Sequence, residues 1–456
     1  MSKAGKPNIL DQLRRLDTQK VKVAVTDIDG VLRGKYLHLE KFLSAAEGGL
    51  GFCNVIFGWD CGDVCYDDIT YTGWHTGYPD AEARVDLGTF RRVPWDGQIP
   101  FFLADFAAPA AKDGAPPPPC PRRLLREVIA QAEEAGLSAK MGMEFEWFNF
   151  QESPESLRDK QHANLAPLTP GMFGYSLLRT SRNLPFFNAL LDDLAAFGVP
   201  IEGLHTETGP GVLEAAILYT DALEAADRAT LFKASAKEIG ARFGIMPTFM
   251  ARWNDKLPGS SGHLHQSLWA SGKNVFFDAK DPHRMSATFK SYLAGILHCL
   301  PEILPLFAPT VNSYKRLVDG FWAPTKVSWG LDNRTVAARV IPGSAKSTRL
   351  ELRVPGADVN PYLAIAGALA AGLYGVRHQL ALTLPPTTGS AYVNEHAPRL
   401  PRTLEAATEA MATSQLAREI LPPAFIDHFV ATRRWEWRRF RDAVTSWELE
   451  RYFEII

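Results

Sequence analysis

The sequence has no hydrophobic stretch long enough to cross a bilayer, no run of basic residues and no large excess of either charge. Its longest apolar run, around residues 364–373, is too short and too rich in alanine and glycine for a membrane span. The net charge of -2 argues against a nucleic-acid partner. The first residues, Met1–Gly5, are polar, so we expect no signal peptide. An odd number of cysteines, five, fits reduced thiols, so we expect a cytoplasmic protein without a membrane partner.

With 46% apolar and 22% charged residues in 456, the chain has the composition of a globular protein with more than one domain. The proline-rich stretch 116–121 is stiff and is the best linker candidate. We therefore predict an N-terminal domain at residues 1–115 and a second domain at residues 116–456. Cys61 and Cys65 have C-x3-C spacing, but no second ligand pair follows, so we expect no zinc site there.

Charged and apolar side chains alternate along residues 347–355 with the period of a strand. Arg349, Glu351 and Arg353 share one face, and the leucines between them share the other. On an exposed strand, these side chains would face solvent, and their opposite charges would neutralise each other. In a binding site, the glutamate can bind a hard divalent cation, and the arginines can bind phosphate or carboxylate oxygens.

A second predicted strand, residues 139–148, places Glu144 and Glu146 on one face and aromatic residues on the other. Two like charges on a mostly buried strand are costly unless a cation neutralises them. The alternative is a pair facing solvent at a sheet edge. The apolar surroundings favour the cation.

Two further stretches carry groups of the same kind. A Gly-Pro-Gly turn is predicted to bring Glu207 and Glu214 together across a hairpin. His263, His265 and Ser267 share one face of another predicted strand. A His-x-His pair on a strand is a common ligand arrangement, but it also occurs in ordinary sheets.

The segment Asp27–Leu32 has two interpretations. It looks like the D-x-D-G-x-L motif of haloacid-dehalogenase-type phosphatases, in which the first aspartate attacks phosphate, although Val31 stands where a threonine is usual. Alternatively, strand 21–27 continues through an Asp-Gly turn into residues 33–37 and forms a hairpin. We favour the hairpin, because a different resemblance accounts for much more of the chain.

Local signals also predict several helices. They lie at residues 9–16, at 122–135 with Gly136 closing the helix, at 221–243, at 361–373 with Asn360 as the cap, and along the tail 435–452.

Taken in order, these motifs resemble the glutamine synthetase family along nearly the whole chain. The matching stretches are 143–146, 207–214, 259–267, 312–317, 333–339, 349–353 and 360–363. Each is weak alone, but seven in the family's order are specific. The resemblance implies an α+β fold, with an N-terminal β-grasp domain and a catalytic domain built on a curved antiparallel sheet. It also implies a homo-oligomer, a dodecamer of two stacked hexameric rings with active sites between neighbouring subunits.

In that family, ATP phosphorylates the side-chain carboxylate of glutamate, and an amine then displaces phosphate. Position by position, the resemblance implies two Mg2+ or Mn2+ ions, one held by Glu146, Glu207 and Glu214 and the other by Glu144, His263 and Glu351. Glutamate would contact Arg316, Arg353 and Gly259, and ATP would contact His265, Ser267, Lys346 and Arg349. Arg334 and Arg339 would stabilise the transition state.

The substrate pocket departs from the family pattern. Ammonia-using members have Gly-Tyr-Glu-Ala-Pro where this chain has residues 320–324, so Trp322 replaces a glutamate that closes the site and helps to deprotonate ammonium. An indole cannot accept a proton, but it can line an apolar or cation–π pocket. Val212 replaces a glutamine, and Pro258 replaces an asparagine. Because all six metal ligands are retained, these changes indicate a different acceptor rather than a lost activity.

The expected function is therefore an ATP-dependent carbon–nitrogen ligase that joins the γ-carboxylate of glutamate to a small organic primary amine. It would be similar to the γ-glutamylpolyamine and γ-glutamylalkylamide synthetases of bacterial amine catabolism. Glutamine synthetase proper is the alternative, and it would need another group, such as Asp60 on a neighbouring subunit, in place of the missing glutamate. A non-catalytic assembly protein, as among lens members of the family, is a third possibility against which the intact ligands argue.

Overall fold

The computed structural model of the protein describes residues 9–107 and 117–456. Two sheets organise this part of the chain. The predicted domain boundary near residue 115 and the polar segment Met1–Gly5 lie outside the described residues. In the described ranges, no helix combines the length and the apolar character that a bilayer crossing requires.

The N-terminal region is a five-stranded mixed sheet in the order β2-β1-β5-β4-β3. Its elements are α1 (Ile9–Arg15), β1 (Lys20–Thr26), β2 (Leu32–His38), α2 (Leu39–Gly48), β3 (Leu50–Cys53), a 3-10 turn (Asn54–Phe57), β4 (Asp80–Val93) and β5 (Ile99–Phe106). Strands β1 and β5 are parallel, and the other neighbouring pairs are antiparallel. Helix α2 covers the sheet, with Phe42 stacked on Phe102. This arrangement is consistent with the predicted β-grasp domain.

The second sheet has ten strands and curves into a half-barrel. Its strands are β6 (Ser138–Phe150), β7 (Ile201–Thr206), β8 (Val212–Ile217), β9 (Thr220–Asp221), β10 (Met246–Thr248), β11 (Gly262–Ala270), β12 (Lys273–Asn274), β13 (Trp329–Leu331), β14 (Ala338–Ile341) and β15 (Arg349–Leu352). The main order is β13-β14-β15-β11-β6-β8-β7. The sheet is antiparallel as expected except at its edge, where β13 and β14 run parallel.

Helices surround this sheet and form most of the core. They are α3 (Pro121–Glu134), α4 (Pro154–Asp159), α5 (Leu177–Arg182), α6 (Leu184–Ala196), α7 (Ala222–Arg242), α8 (Ala287–Cys299), α9 (Val311–Arg316), α10 (Pro361–Arg377), α11 (Leu404–Thr413), α12 (Gln415–Ile420), α13 (Pro423–Arg441) and α14 (Ser446–Tyr452), with 3-10 turns at Leu304–Leu306 and Ala391–Val393. Helices α3 and α7 pack against β6, and α10 packs on α3, α7 and α8.

Helix α10 can lie against α8 because small residues face the contact. A Cβ atom on Gly372 would lie 2.0 Å from the ring of Tyr292, and one on Gly295 would lie 2.3 Å from a backbone oxygen of α10. The predicted cap is confirmed, since the Asn360 side chain accepts a hydrogen bond from the Tyr362 N–H.

The predicted helices form with small differences at their ends. Helix α10 continues four residues beyond the predicted end, because no proline interrupts the chain before Arg377 and Gly375 is accommodated within the helix. The tail was expected to be one helical stretch, but it contains two helices. The second helix begins with a capping box in which Thr445 and Glu448 bond each other's backbone, so residues 442–445 leave the helix.

Buried ionic contacts join the two regions. Arg122 on α3 is 1% exposed, and it donates hydrogen bonds to Asp86 and Asp105 of the N-terminal sheet and to Asp227 on α7. Burial alone would lower the pKa of Arg122, but Asp227 and Asp105 raise it above its usual range. The guanidinium therefore stays charged and holds the N-terminal sheet on the helices.

Candidate active site

The sheet's charged face encloses a cavity of about 600 Å³, which we call the acidic cavity. Its lining comprises Glu144, Glu146, Tyr175, His205, Glu207, Thr208, Glu214, His263, His265, Trp322, Arg334, Arg339, Arg349, Glu351 and Arg353. All six predicted metal ligands are in this set. The structure therefore brings together residues that lie up to 207 positions apart in the sequence.

Cross-strand pairs build the floor of the acidic cavity. His263 lies opposite Glu144, and His265 lies opposite Glu351. The side chains between these residues point into the core, as Phe145 does at 0% exposure. Period-two alternation therefore puts the charges on one face and the core on the other, as the sequence predicts.

One group of donors consists of His205, Glu207 and Glu214. The His205 Nδ1 atom lies 3.7 Å from Glu207 Oε2, and its Nε2 atom lies 3.8 Å from Glu214 Oε2. Their potential ligand atoms all lie within 4.8 Å of one another. Glu146 was expected in this group, and it lies opposite Glu214 on the neighbouring strand. Its Oε2 atom, however, is already bonded within the protein, because it accepts a hydrogen bond from the Ser261 N–H at 2.7 Å.

The charge on Glu214 is poorly compensated by the protein alone. Burial, followed by the negative charges of Glu146, Glu144 and Glu207, raises the pKa of Glu214 to about 9. A carboxyl group held in this way takes up a proton or a cation. His205, Glu207 and Glu214 together therefore fit a bound divalent cation.

A second group surrounds His263, which is 4% exposed. Its Nδ1 atom lies 3.6 Å from Glu144 Oε2 and 3.4 Å from Glu351 Oε1. Its Nε2 atom is buried and has no hydrogen-bond partner within the described residues. Carboxylate oxygens around an imidazole that the protein leaves incompletely bonded also fit a divalent cation.

Glu351 is the most enclosed carboxylate of this second group, at 1% exposure. Arg339 donates to its Oε2 atom at 2.8 Å, and Arg353 donates to its Oε1 atom. Burial alone would raise the pKa of Glu351, but the charges of His263 and the two arginines lower it to about 2. Glu351 is therefore ionised at neutral pH.

A neighbouring cavity of about 330 Å³ contains all four residues predicted to contact ATP: His265, Ser267, Lys346 and Arg349. The two cavities share Glu144, His265 and Arg349 in their linings. Arg349 Nε donates to His265 Nδ1 at 3.1 Å, which orients both side chains at the shared edge. A molecule in one cavity would thus lie next to a molecule in the other.

The predicted arginines occupy different positions. Arg334 lines the acidic cavity, and its guanidinium makes no hydrogen bond or ion pair within the described part of the chain. Arg339 is paired with Asp332 as well as with Glu351. Arg334 is therefore the arginine that is available to an anionic ligand.

Arg316 and Gly259, both expected to contact the substrate, are not among the residues that line the acidic cavity. Arg316 is 2% exposed and donates to the Val354 carbonyl and to Ser261 Oγ, both at 2.8 Å. Burial lowers its pKa to about 10. In the structure, Arg316 holds the ends of β15 and β11 together, and Gly259 makes room for its side chain.

Two aromatic side chains, those of Trp322 and Tyr175, are among the residues that line the acidic cavity. Trp322 is 57% exposed and lies on a loop with a φ of +60°. Tyr175 stacks on His205, with ring centroids 4.3 Å apart and planes at 21°. The sequence analysis did not identify either His205 or Tyr175. The spacing of His205 and Glu207, two apart at the end of one strand, was a signal that could have identified His205.

The two aspartates considered outside this cavity have other partners. The Asp60 carboxylate accepts hydrogen bonds from the Gly62 and Val64 N–H groups and from Trp435 Nε1. Its proposed role at a neighbouring subunit stays a prediction. Asp27 is 2% exposed, and its carboxylate is bonded to two backbone N–H groups and Arg33. The hairpin interpretation is confirmed by the β1–β2 pairing, and a buried, fully bonded Asp27 is not placed to attack a phosphate ester.

Comparisons with known proteins agree with this geometry. Residues 118–452 match the catalytic domain of glutamine synthetase. The chain is 55% identical to type-1 glutamine synthetase 2 of Dictyostelium discoideum, over 98% of this chain and 86% of that protein. It is 37% identical to the glutamate–isopropylamine ligase of a Pseudomonas species, over the whole of both chains.

It is also 38% identical to the gamma-glutamylethanolamide synthetase GlnA4 of Streptomyces coelicolor, over 96% of this chain and 93% of that protein. Among solved structures, the GmaS/ADP complex is similar, with a TM-score of 0.84 and 27% identity over 98% of this chain and 100% of that chain. The matched catalytic domain and these full-length relatives show that the chain belongs to the glutamine synthetase family, whose catalytic members are ATP-dependent carbon–nitrogen ligases that use divalent metal ions.

Proposed function

We propose that this protein joins the γ-carboxylate of glutamate to a small organic primary amine, for use in amine catabolism. The observation that carries the proposal is the presence of Trp322 in the lining of the acidic cavity. Trp322 occupies the position at which ammonia-using relatives have a glutamate, and it lines the same cavity as Tyr175 and His205. An indole in the lining suits an acceptor with a carbon chain.

The two adjoining cavities support a division of the substrates. ATP binds in the cavity lined by Ser267 and Lys346, and glutamate binds in the acidic cavity beside Arg353 and Arg334. The γ-phosphoryl group passes across their shared edge to the γ-carboxylate, giving γ-glutamyl phosphate and ADP. The amine nitrogen then attacks the γ-carbonyl carbon, the carbon–nitrogen bond forms, and phosphate and a proton leave.

The carboxylates and histidines would hold at least two Mg2+ or Mn2+ ions. His205, Glu207 and Glu214 form one compact group, to which the expected ligand Glu146 would be added. Glu144, His263 and Glu351 are the expected second set, with His263 Nδ1 at 3.6 Å from Glu144 and 3.4 Å from Glu351. When bound, the cations neutralise the phosphate and carboxylate charges that the reaction brings together. Arg334 contributes a further positive charge from the protein.

Burial of the acceptor's carbon chain gives the expected selectivity. A chain of three carbons packed against Trp322 gains about 2.4 kcal/mol at about 0.8 kcal/mol per CH2. Ammonia has no such chain, and the indole offers no carboxylate to its cation. Since about 1.4 kcal/mol corresponds to a factor of ten, we expect the best amine to exceed ammonia at least tenfold in kcat/KM.

Glutamine synthesis from ammonia is the second candidate. The Dictyostelium relative, at 55% identity, is named a glutamine synthetase, whereas the two relatives named for isopropylamine and ethanolamide products are 37% and 38% identical. In this reading another acid, such as Asp60 of a neighbouring subunit, would replace the glutamate that Trp322 displaces.

A kinetic comparison separates the two candidates. ADP release is measured at saturating glutamate with ammonia, isopropylamine, ethanolamine and a diamine, for the wild type and for Trp322→Glu. We expect the wild type to prefer an amine, and the variant to gain ammonia-dependent turnover as it loses amine-dependent turnover. Phe321→Leu is the matched control, because Phe321 is on the same loop but packs on Arg252 with a ring-to-guanidinium distance of 4.5 Å. If wild type uses ammonia as well as its best amine, glutamine synthesis is the function.

We further propose that the protein assembles as a dodecamer of two stacked hexameric rings, with the loop 57–68 beside a neighbour's Trp322. Large apolar side chains are exposed along residues 172–184, a segment that includes Tyr175 of the acidic cavity, and such exposure marks interaction surfaces. They are Met172, Phe173, Tyr175, Leu177, Leu178 and Leu184. Light scattering tests this assembly, and Leu178→Asp should reduce both the particle mass and the activity. A fully active monomer would exclude shared sites.

A further inference from the structure

A third cavity lies away from the active site. It has a volume of about 730 Å³ and lies between the β1–β2 hairpin, helix α7 and the start of α9. We call it the junction cavity. None of its lining residues lines the acidic cavity or the neighbouring 330 Å³ cavity in which we propose that ATP binds.

One stripe of helix α7 supplies polar groups to the junction cavity. Thr230, Lys233 and Lys237 are three and four residues apart, so they lie on the same side of the helix. Thr230 is 1% exposed, and its hydroxyl has no hydrogen-bond partner within the described residues. Such an unbonded buried hydroxyl is costly unless a ligand or water bonds to it.

The two lysines lack a carboxylate partner. Lys233 Nζ donates only to the Val359 carbonyl, at 2.8 Å, and Lys237 makes no ion pair in the part of the chain that is described. Burial lowers the pKa of both lysines, and their mutual repulsion contributes to the pKa of about 7 at Lys233. Two lysine amino groups without a carboxylate partner and a free hydroxyl on one stripe form a site for an anion, whose negative charge would favour the protonated form of Lys233.

The acids that line the junction cavity do not cancel these charges. Asp29 is paired with Arg433, and Glu238 accepts a hydrogen bond from Trp95. Asp358 accepts bonds from Thr310 and Ser313 on one oxygen, and it attracts Lys233 without forming an ion pair. Burial raises the pKa of Glu436, and the positive charge that acts on its carboxylate is that of Arg433.

The rest of the lining is largely apolar. It includes the side chains of Val93, Trp95, Phe101, Phe197 and Phe249. Lys233 Nζ lies 5.8 Å from the centroid of the Phe249 ring, so the lysine stripe of the cavity lies next to its aromatic lining. A ligand that fits both must carry an anionic group at one end and an apolar body at the other.

We propose that the junction cavity is a second ligand site, in which Thr230, Lys233 and Lys237 bind the charged group of a small organic anion and the aromatic residues pack on its apolar body. Lys233 also lies 5.7 Å from the centroid of the Phe145 ring, and the neighbours of Phe145 on β6, Glu144 and Glu146, face the acidic cavity. The second site therefore lies on the opposite side of the same strand from the proposed metal ligands.

The amphipathic anion 8-anilinonaphthalene-1-sulfonate is a direct probe, because it combines a sulfonate with an aromatic body and becomes fluorescent in apolar sites. We expect one saturable site per chain in the full-length, native protein. Lys237→Met should weaken binding by about tenfold or more, since it removes a charged hydrogen-bond donor. Thr230→Val, which keeps the side-chain shape, should weaken binding several-fold. Lys41→Met, on the exposed surface of α2, is the control and should bind as wild type.

Competition and oligomeric state distinguish the alternatives. We expect saturating ATP, Mg2+ and glutamate to leave the probe bound, because the cavities share no residue. Displacement by these substrates would overturn the proposal, as would equal affinity in all variants. The proposal also fails if the probe binds only dissociated subunits, since the cavity is then covered by a second copy of the chain. Thermal melts confirm that each variant is folded before titration, and Thr230→Val carries the test if a lysine variant is not.

Discussion

Glu146 and Glu214 lie directly opposite each other on neighbouring strands, and both face the acidic cavity. Like charges in this position repel each other, and burial prevents water from screening them. Burial and the neighbouring negative charges raise the pKa of Glu214 to about 9, so this carboxyl is protonated at neutral pH in the metal-free state.

A divalent cation that binds at Glu214 should therefore release a proton. At pH 7.5 we expect wild type to lose close to one proton per Mg2+ or Mn2+ at this position, since ligand carboxylates must be ionised. Calorimetric titrations in buffers with different ionisation enthalpies measure this number. Glu214→Gln should abolish the release, whereas Glu133→Gln on the exposed side of α3 should not change it. Metal binding by wild type without proton uptake by the buffer would contradict the assignment.

Replacing Glu351 tests the second group of ligands. Glu351→Gln keeps the shape of the side chain, but it leaves Arg339 and Arg353 without their shared anion and removes a metal ligand. We expect ADP formation to fall to background at saturating Mg2+. Glu409→Gln, which breaks an exposed pair with Arg434, is the control and should be fully active. Near-normal ADP formation by Glu351→Gln would show that Glu351 is not required for phosphoryl transfer.

The unpaired guanidinium of Arg334 predicts a role in turnover rather than in nucleotide binding. Arg334→Gln should lower kcat by about a hundredfold or more, the loss expected for a cation that stabilises the transition state. The affinity for ATP, measured by titration without turnover, should change little, because Arg334 does not line the cavity in which we propose that ATP binds. Arg377→Gln on the surface is the control. A weaker ATP affinity with an unchanged kcat would reassign Arg334 to binding.

His428 on α13 predicts the response of stability to acid. It is 5% exposed, and neither ring nitrogen has a hydrogen-bond partner in the described ranges. Burial, reinforced by the charge of Arg433, lowers its pKa to about 3. The unfolded chain takes up a proton near pH 6.5, whereas the folded chain does not. The stabilisation is therefore complete above pH 6.5 and is lost as the pH falls towards 3, at about 1.4 kcal/mol per unit.

Urea unfolding at pH 7.5, 6.0 and 5.0 measures this slope. In His428→Phe the slope should be smaller by about 1.4 kcal/mol per unit below pH 6.5, whatever the change in absolute stability. His396→Phe, at an exposed position, should keep the slope of the wild type. Equal slopes in all three proteins would mean that His428 does not titrate differently in the folded state.

The local part of the site was predictable because a strand alternates with period two. The faces of Glu144 and Glu146 on β6, and of Glu351 on β15, follow from sequence spacing alone. That these strands belong to one sheet depends on contacts between distant residues, and only the order of motifs in the family indicated it.

Other positions depend on tertiary contacts that no local pattern records. Tyr175 lies on an irregular loop, and its place is set by its N–H bond to the Thr206 carbonyl at 2.7 Å. Arg316 was expected at the substrate, but its guanidinium finds backbone carbonyls 37 and 38 residues further along the chain. A charged residue type in a sequence does not reveal whether its partner is a ligand or the protein itself.

The Asn360 side chain does more than begin helix α10. Its Nδ2 atom also donates to the carbonyls of Asp27 and Ile28, which lie 333 and 332 residues earlier in the turn of the first hairpin. During synthesis that hairpin leaves the ribosome long before the residue that fixes it exists. The face of the N-terminal sheet that packs on the catalytic domain therefore stays exposed until about three quarters of the chain has been made. We expect chaperones to bind the nascent chain most strongly in this interval.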